Sequence, residues 1–157
     1  MHYLLIALLF STRPVDPIAL ETLDHALAYS PIVRSLVGTL EASNVIVHIQ
    51  SSRRLPAGLS GTTRFVVSRG GRRYLRITIS CDLSKAARAA ILGHELQHAV
   101  EVATSTADDV NSVRRLFEER GEGSDGYFET RAAIEVERQV RRELVLLQAE
   151  PVVKFHH

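Results

Sequence analysis

The residues of this chain best suited to chemistry lie close together in Ile91–Val100, which reads I-L-G-H-E-L-Q-H-A-V. At its centre His94-Glu95-Leu96-Gln97-His98 forms the pattern H-E-x-x-H. On a helix, residues four apart share a face, so His94 and His98 project together. Two imidazoles at that spacing can grip one zinc ion, and Glu95 stands close enough to hold and deprotonate a water on it. A five-residue match arises by chance in many proteins, so the flanks decide its weight. From Ala89 through Val100 the only carboxylate or cationic side chain is Glu95. A surface helix would carry charge within such a stretch. A helix wedged between a sheet and a cleft would not.

Two histidines leave zinc short of the three protein ligands usual in catalytic sites. The metzincin continuation H-E-x-x-H-x-x-G-x-x-H fails, because Glu101 stands at the glycine position and Thr104 at the final histidine. The third ligand must come from elsewhere, and the downstream carboxylates are Glu101, Asp108, Asp109, Glu118, Glu119, Glu122, Asp125, Glu129 and Glu135. A last helix is expected from about Phe128 to Leu147, with Ala132, Ala133, Val136, Val140, Leu144 and Leu147 as its apolar stripe. Glu129 extends that stripe backwards by three and four residues, whereas Glu135 turns to water. A carboxylate facing the core is costly unless paired, and a metal removes the cost. A first-turn carboxylate complementing the helix dipole is the plainer account of Glu129, but it does not explain the alignment. Glu129 is the expected metal ligand, and Glu101, three residues past His98, is better suited to supporting a ligand from behind.

The elements that must position these groups can be read in order. Asp16-Pro17 and Ser30-Pro31 are start signals for two consecutive helices or one kinked one, running to Ala42. Val45–Gln50 reads as a strand, with His48 a surface or packing histidine on the face opposite Val45, Val47 and Ile49. A loop over Ser52–Gly61 leads to strands Thr62–Ser68 and Arg73–Ser80, joined through Gly70-Gly71. The alternation in Arg73–Ser80 fits antiparallel pairing near a sheet edge. Asp82 or Ser84 can cap the motif helix, which runs from Lys85 to about Val102. A further helix from about Asp108 to Arg120 and a flexible turn over Gly121–Gly126 complete the chain before the last helix.

With 157 residues, 45% hydrophobic and 24% charged, the chain suits one globular domain spanning residues 1–157. A formal charge of +1 gives no bulk argument for nucleic acid. The arginine clusters at Arg53-Arg54, Arg69–Arg73, Arg114-Arg115 and Arg141-Arg142 read as solvated faces and turns. Cys81 alone excludes an internal disulfide and a thiolate-rich zinc site, and reads as a semi-buried strand-end residue. The apolar run Tyr3–Phe10 is too short to span a bilayer as a helix, which needs ~20 residues. It reads as a signal-like remnant, which would favour an extracytoplasmic location, or as a buried first strand or helix.

The motif helix followed by Glu129, 31 residues beyond His98, resembles the gluzincins, zinc peptidases with H-E-x-x-H on one helix and a ligand glutamate on a later one. Glu129-Thr130-Arg131-Ala132 resembles the E-x-x-A start of the glutamate helix in several of these families, and the short chain is most similar to their minimal single-domain members. The resemblance covers roughly residues 45–147. It implies a zincin-like α+β fold, with a small antiparallel or mixed sheet on the motif helix and a helical C-terminal part. It also implies one zinc per chain held by His94, His98 and Glu129, with Glu95 as general base and then proton donor to the leaving amine. A peptide or protein would be the substrate, its backbone paired with a sheet edge, for which Arg73–Ser80 is the nearest strand in sequence. Tyr127 is a weak candidate for a second oxyanion donor. The chain departs from the family at Ala133, where many members place an aspartate that supports a zinc-binding histidine. Glu101 is the remaining candidate for that support. Two alternatives stand beside the peptidase: a catalytically idle zinc-binding module, and a zinc amidase acting on a small substrate.

Overall fold

The computed structural model describes residues 10–124 and 127–148, so all of the apolar run except Phe10 lies outside the described residues, as do Asp125 and Gly126. The described residues form a mixed α+β fold with a small mixed sheet and five helices. In chain order these are β1 (Thr12–Pro14), α1 (Pro17–Tyr29), α2 (Pro31–Glu41), β2 (Val45–Ser52), β3 (Gly61–Arg69), β4 (Arg72–Ser80), α3 (Lys85–Ala103), α4 (Val110–Arg120), β5 (Gly121–Ser124), β6 (Tyr127–Thr130) and α5 (Arg131–Gln148).

The expected start signals act as caps. Asp16 accepts from Ala19 N, Ser30 from Val33 N and Ser84 from Ala87 N, while Pro17 and Pro31 open their helices with a preset φ and no wasted donor. Asp16 also accepts from Ser51 N at 2.6 Å and Ser51 Oγ at 2.9 Å, which ties the start of α1 to the end of β2.

The sheet order is β1-β2-β4-β3, with β1 and β4 parallel to β2 and with β3 antiparallel to β4. The expected edge position of Arg73–Ser80 is therefore corrected: β4 is interior, and β3 is the edge. Local alternation could not reveal this, because β2 reaches β4 across an intervening strand. Gly70 and Gly71, at φ 60° and 73°, supply the positive dihedrals of the tight β3–β4 turn. Val45, Val47 and Ile49 of β2 and Leu75, Ile77 and Ile79 of β4 share one face and are fully buried.

Against that face lies α3, which also touches α1, α2 and α5. Ala89, Ala90, Leu92, Leu96, Ala99 and Val102 are all buried, in keeping with the nearly uncharged stretch from Ala89 to Val100. Gly93 lets α5 come close: a Cβ there would stand 2.7 Å from Val140 Cγ2. The C-terminal end of α3 is held by Arg73, which donates to the carbonyls of Val102, Ala103, Ser105 and Ala107 at 2.8–3.0 Å, and to Asn44 Oδ1. This arginine is only 8% exposed, so its reading as part of a solvated cluster is wrong. It serves as a buried cap for carbonyls that a helix end leaves unpaired.

The last helix begins later than expected. Gly121–Ser124 (β5) and Tyr127–Thr130 (β6) pair as antiparallel strands where a flexible turn was expected, and α5 starts at Arg131. Thr130 Oγ1 accepts from Ala133 N at 3.2 Å, stopping the helix pattern one residue after Glu129. Among the described residues, no helix is long and apolar enough to cross a membrane.

Candidate metal and catalytic site

The first turns of α3 lie under the sheet and its third turn opens on a cleft between β3, α4 and β6. His94 and His98 rise from this turn and the next, 6% and 5% exposed, with their rings edge to face. Their Nε2 atoms stand 3.2 Å apart. Glu129 Oε2 approaches His94 Nε2 at 3.3 Å from β6. The structure thus brings Glu129 to the histidines, but by a route other than the helical stripe: it precedes α5 and its side chain is 56% exposed.

Each ring has a carboxylate behind its other nitrogen. His98 Nδ1 meets Glu101 Oε2 at 3.0 Å, and Glu101 Oε1 accepts from Thr130 Oγ1 at 2.8 Å. Burial alone would raise the Glu101 pKa, but the bonds to His98 and Thr130 and the nearby imidazole hold it below the usual carboxylate range. His94 Nδ1 lies 3.2 Å from Glu137 Oε2, within ion-pair reach but without hydrogen-bond alignment, so that buried nitrogen has no hydrogen bond. Ala133 is buried, and Glu137 one turn further along α5 is the group that approaches His94 Nδ1.

The two Nε2 atoms face one another at hydrogen-bond distance. If both Nδ1 atoms carried the proton, the two Nε2 lone pairs would face each other, and a cation or proton between them would relieve the repulsion. Two ligands on a tetrahedral zinc at ~2.0–2.1 Å stand roughly 3.3 Å apart, which matches both separations above. Among the described residues no group of three or more His, Cys, Asp or Glu side chains is placed to hold a metal ion. The cluster consists of two facing imidazoles and one exposed carboxylate that touches the first of them.

Glu95 points to the other side of the cleft. Thr63 Oγ1 of β3 lies 2.7 Å from Glu95 Oε2 and 3.1 Å from the Glu95 carbonyl oxygen. A Cβ on Gly61 would stand 2.8 Å from Glu95 Oε1 and 2.6 Å from Ile91 Cγ2, so only glycine lets the edge strand cross here. Burial pushes the Glu95 carboxyl upward, opposed by the His98 charge, the Thr63 hydroxyl and His94. The cleft encloses about 70 Å³, with Leu59, Thr62 and Arg64 on one side and Phe117 and Phe128 on the other. The Phe117 ring meets the His98 ring edge-on at 5.2 Å.

Asp108 and Asp109 lie at the start of α4, where Asp109 caps the helix through Ser112, and Glu135 is exposed beside Arg138. Glu118 and Glu119 are exposed on α4. Nothing is described of the side chains of Glu122, Asp125 and Tyr127. Thr63 gives no signal in the sequence, since its role depends on strand pairing. Glu137 was legible: it lies four residues after Ala133 and three before Val140, on the inward stripe.

No family model, no curated protein and no solved structure matches the chain.

Proposed function

We propose that the protein is a small zinc metallopeptidase of gluzincin type with a zincin-like arrangement, zinc being held by His94, His98 and Glu129. The observation that carries the reading is the convergence of His94 Nε2, His98 Nε2 and Glu129 Oε2 beside a buried Glu95. When bound, zinc polarises a carbonyl and makes water a nucleophile at neutral pH. Glu95, oriented by Thr63, takes the proton of the attacking water and returns it to the leaving amine. An extended substrate pairs its backbone with the β3 edge, which passes directly over Glu95. Leu59, Phe117 and Phe128 offer an apolar wall to one substrate side chain.

The small enclosed volume also suits an amidase acting on a short substrate, and both readings use the same residues. A diverse peptide library, together with small acyl amides, separates them. The wild type should cleave peptides, while Glu95→Gln keeps its zinc and loses about 10²–10⁴-fold in rate. Cleavage of the amides alone favours the amidase. Equal cleavage by both proteins, or none by either, overturns the hydrolase reading.

A further inference from the structure

His98 and His94 are built on one plan, but their supports come from different places. Behind His98, Glu101 uses one oxygen on Nδ1 and the other on the Thr130 hydroxyl, wholly inside the protein. Behind His94, Glu137 Oε2 lies 3.2 Å from Nδ1, while Oε1 accepts from Arg141 Nε at 3.1 Å and Nη2 at 2.8 Å. Arg141 is half exposed, so this second support extends from the buried ring to the surface along one turn of α5. His94 Nδ1 is buried and has no hydrogen-bond partner, and Glu137 is the carboxylate that approaches it.

We propose that Glu137, held by Arg141, is the positioning residue for His94. It keeps the proton on Nδ1 and so leaves Nε2 free to act as a ligand. The inference rests on the zinc reading and deepens it, because it assigns the support that Ala133 cannot supply. Glu137 touches neither substrate nor the ligand atoms, and its effect passes through the orientation and tautomer of the ring.

The test is zinc affinity, measured by chelator competition on the full chain, alongside the melting temperature of the metal-free protein. Glu137→Gln should weaken zinc binding by about 10–100-fold while the metal-free melting temperature holds. Arg141→Gln should weaken it in the same direction by a smaller factor, and it keeps the proposal testable if Glu137→Gln does not fold. Glu135→Gln, two residues away and exposed, should bind zinc as the wild type does. Wild-type affinity in Glu137→Gln, or an equal loss in Glu135→Gln, overturns the assignment while the zinc reading stands. A wild type that binds no zinc overturns both.

Discussion

The motif helix α3 and the β5–β6 hairpin meet at one cluster, yet they are held in opposite ways. α3 is buried along most of its length, packed under the sheet, closed against α5 through Gly93 and capped by a buried arginine. The hairpin has two four-residue strands and presents Glu129 with more than half of its side chain in solvent. In the proposed zinc site two ligand positions would be fixed by folding itself, and the third supplied by an element with little core of its own. Such a division would make the histidines ready before a metal arrives and leave the carboxylate to close on it.

The comparison breaks first if α3 is not held as described. Arg73→Met removes a donor from each of four carbonyls, of which Val102 O keeps Ser105 N and Oγ, so it should cost about 3–4 kcal/mol, or roughly 10 °C in melting temperature. A loss under about 1 kcal/mol in urea titration would mean that α3 is secured by packing alone. Thr130→Val tests a buried bond between the regions. It removes both the cap of α5 and the donor to Glu101, with an expected cost of about 1–2 kcal/mol, and Thr130→Ser should restore most of it.

Asp16 gives a test away from the site, with a defined pH sign. Burial would raise its pKa, but bonds from Ala19 N, Ser51 N and Ser51 Oγ outweigh that and lower it. A lowered folded pKa means that the stabilisation is fully present above the ordinary aspartate value of ~3.9 and fades as pH falls through the folded one. Asp16→Ala should cost about 1 kcal/mol near neutrality, with a gap to wild type that narrows in acid. A gap that widens in acid would reverse the sign of the account. The smallest stability effect belongs to Glu129→Gln, within about 0.5 kcal/mol without metal, because the side chain is exposed.

The local parts of this architecture were open to reading in the sequence. Proline after a capping residue starts α1 and α2, Gly70-Gly71 turns β3 into β4, and the uncharged flanks of the motif announce a buried helix. What escaped depends on partners distant in sequence. Three residues ending in proline carry no strand signal, and β1 exists only because β2 pairs with it. The parallel register of β2 on β4 has no local signature, so the edge was assigned to the wrong strand. Glu129 was selected for its helical alignment, yet it reaches His94 from a strand, because Thr130 rather than an earlier residue caps α5. Arg73 looked like one of many surface arginines until the carbonyl end of α3 was set beside it.

The measurement that bears most directly on the central claim is the zinc content of the wild type, Glu95→Gln, Glu129→Ala and Glu101→Ala, purified alike and analysed by elemental mass spectrometry. The account predicts about one zinc per chain in the wild type, as a catalytic site with three protein ligands requires. It predicts the same in Glu95→Gln, a loss in Glu129→Ala, and retention with weaker affinity in Glu101→Ala. Zinc absent from the wild type, or kept by Glu129→Ala and lost from Glu101→Ala, would contradict it.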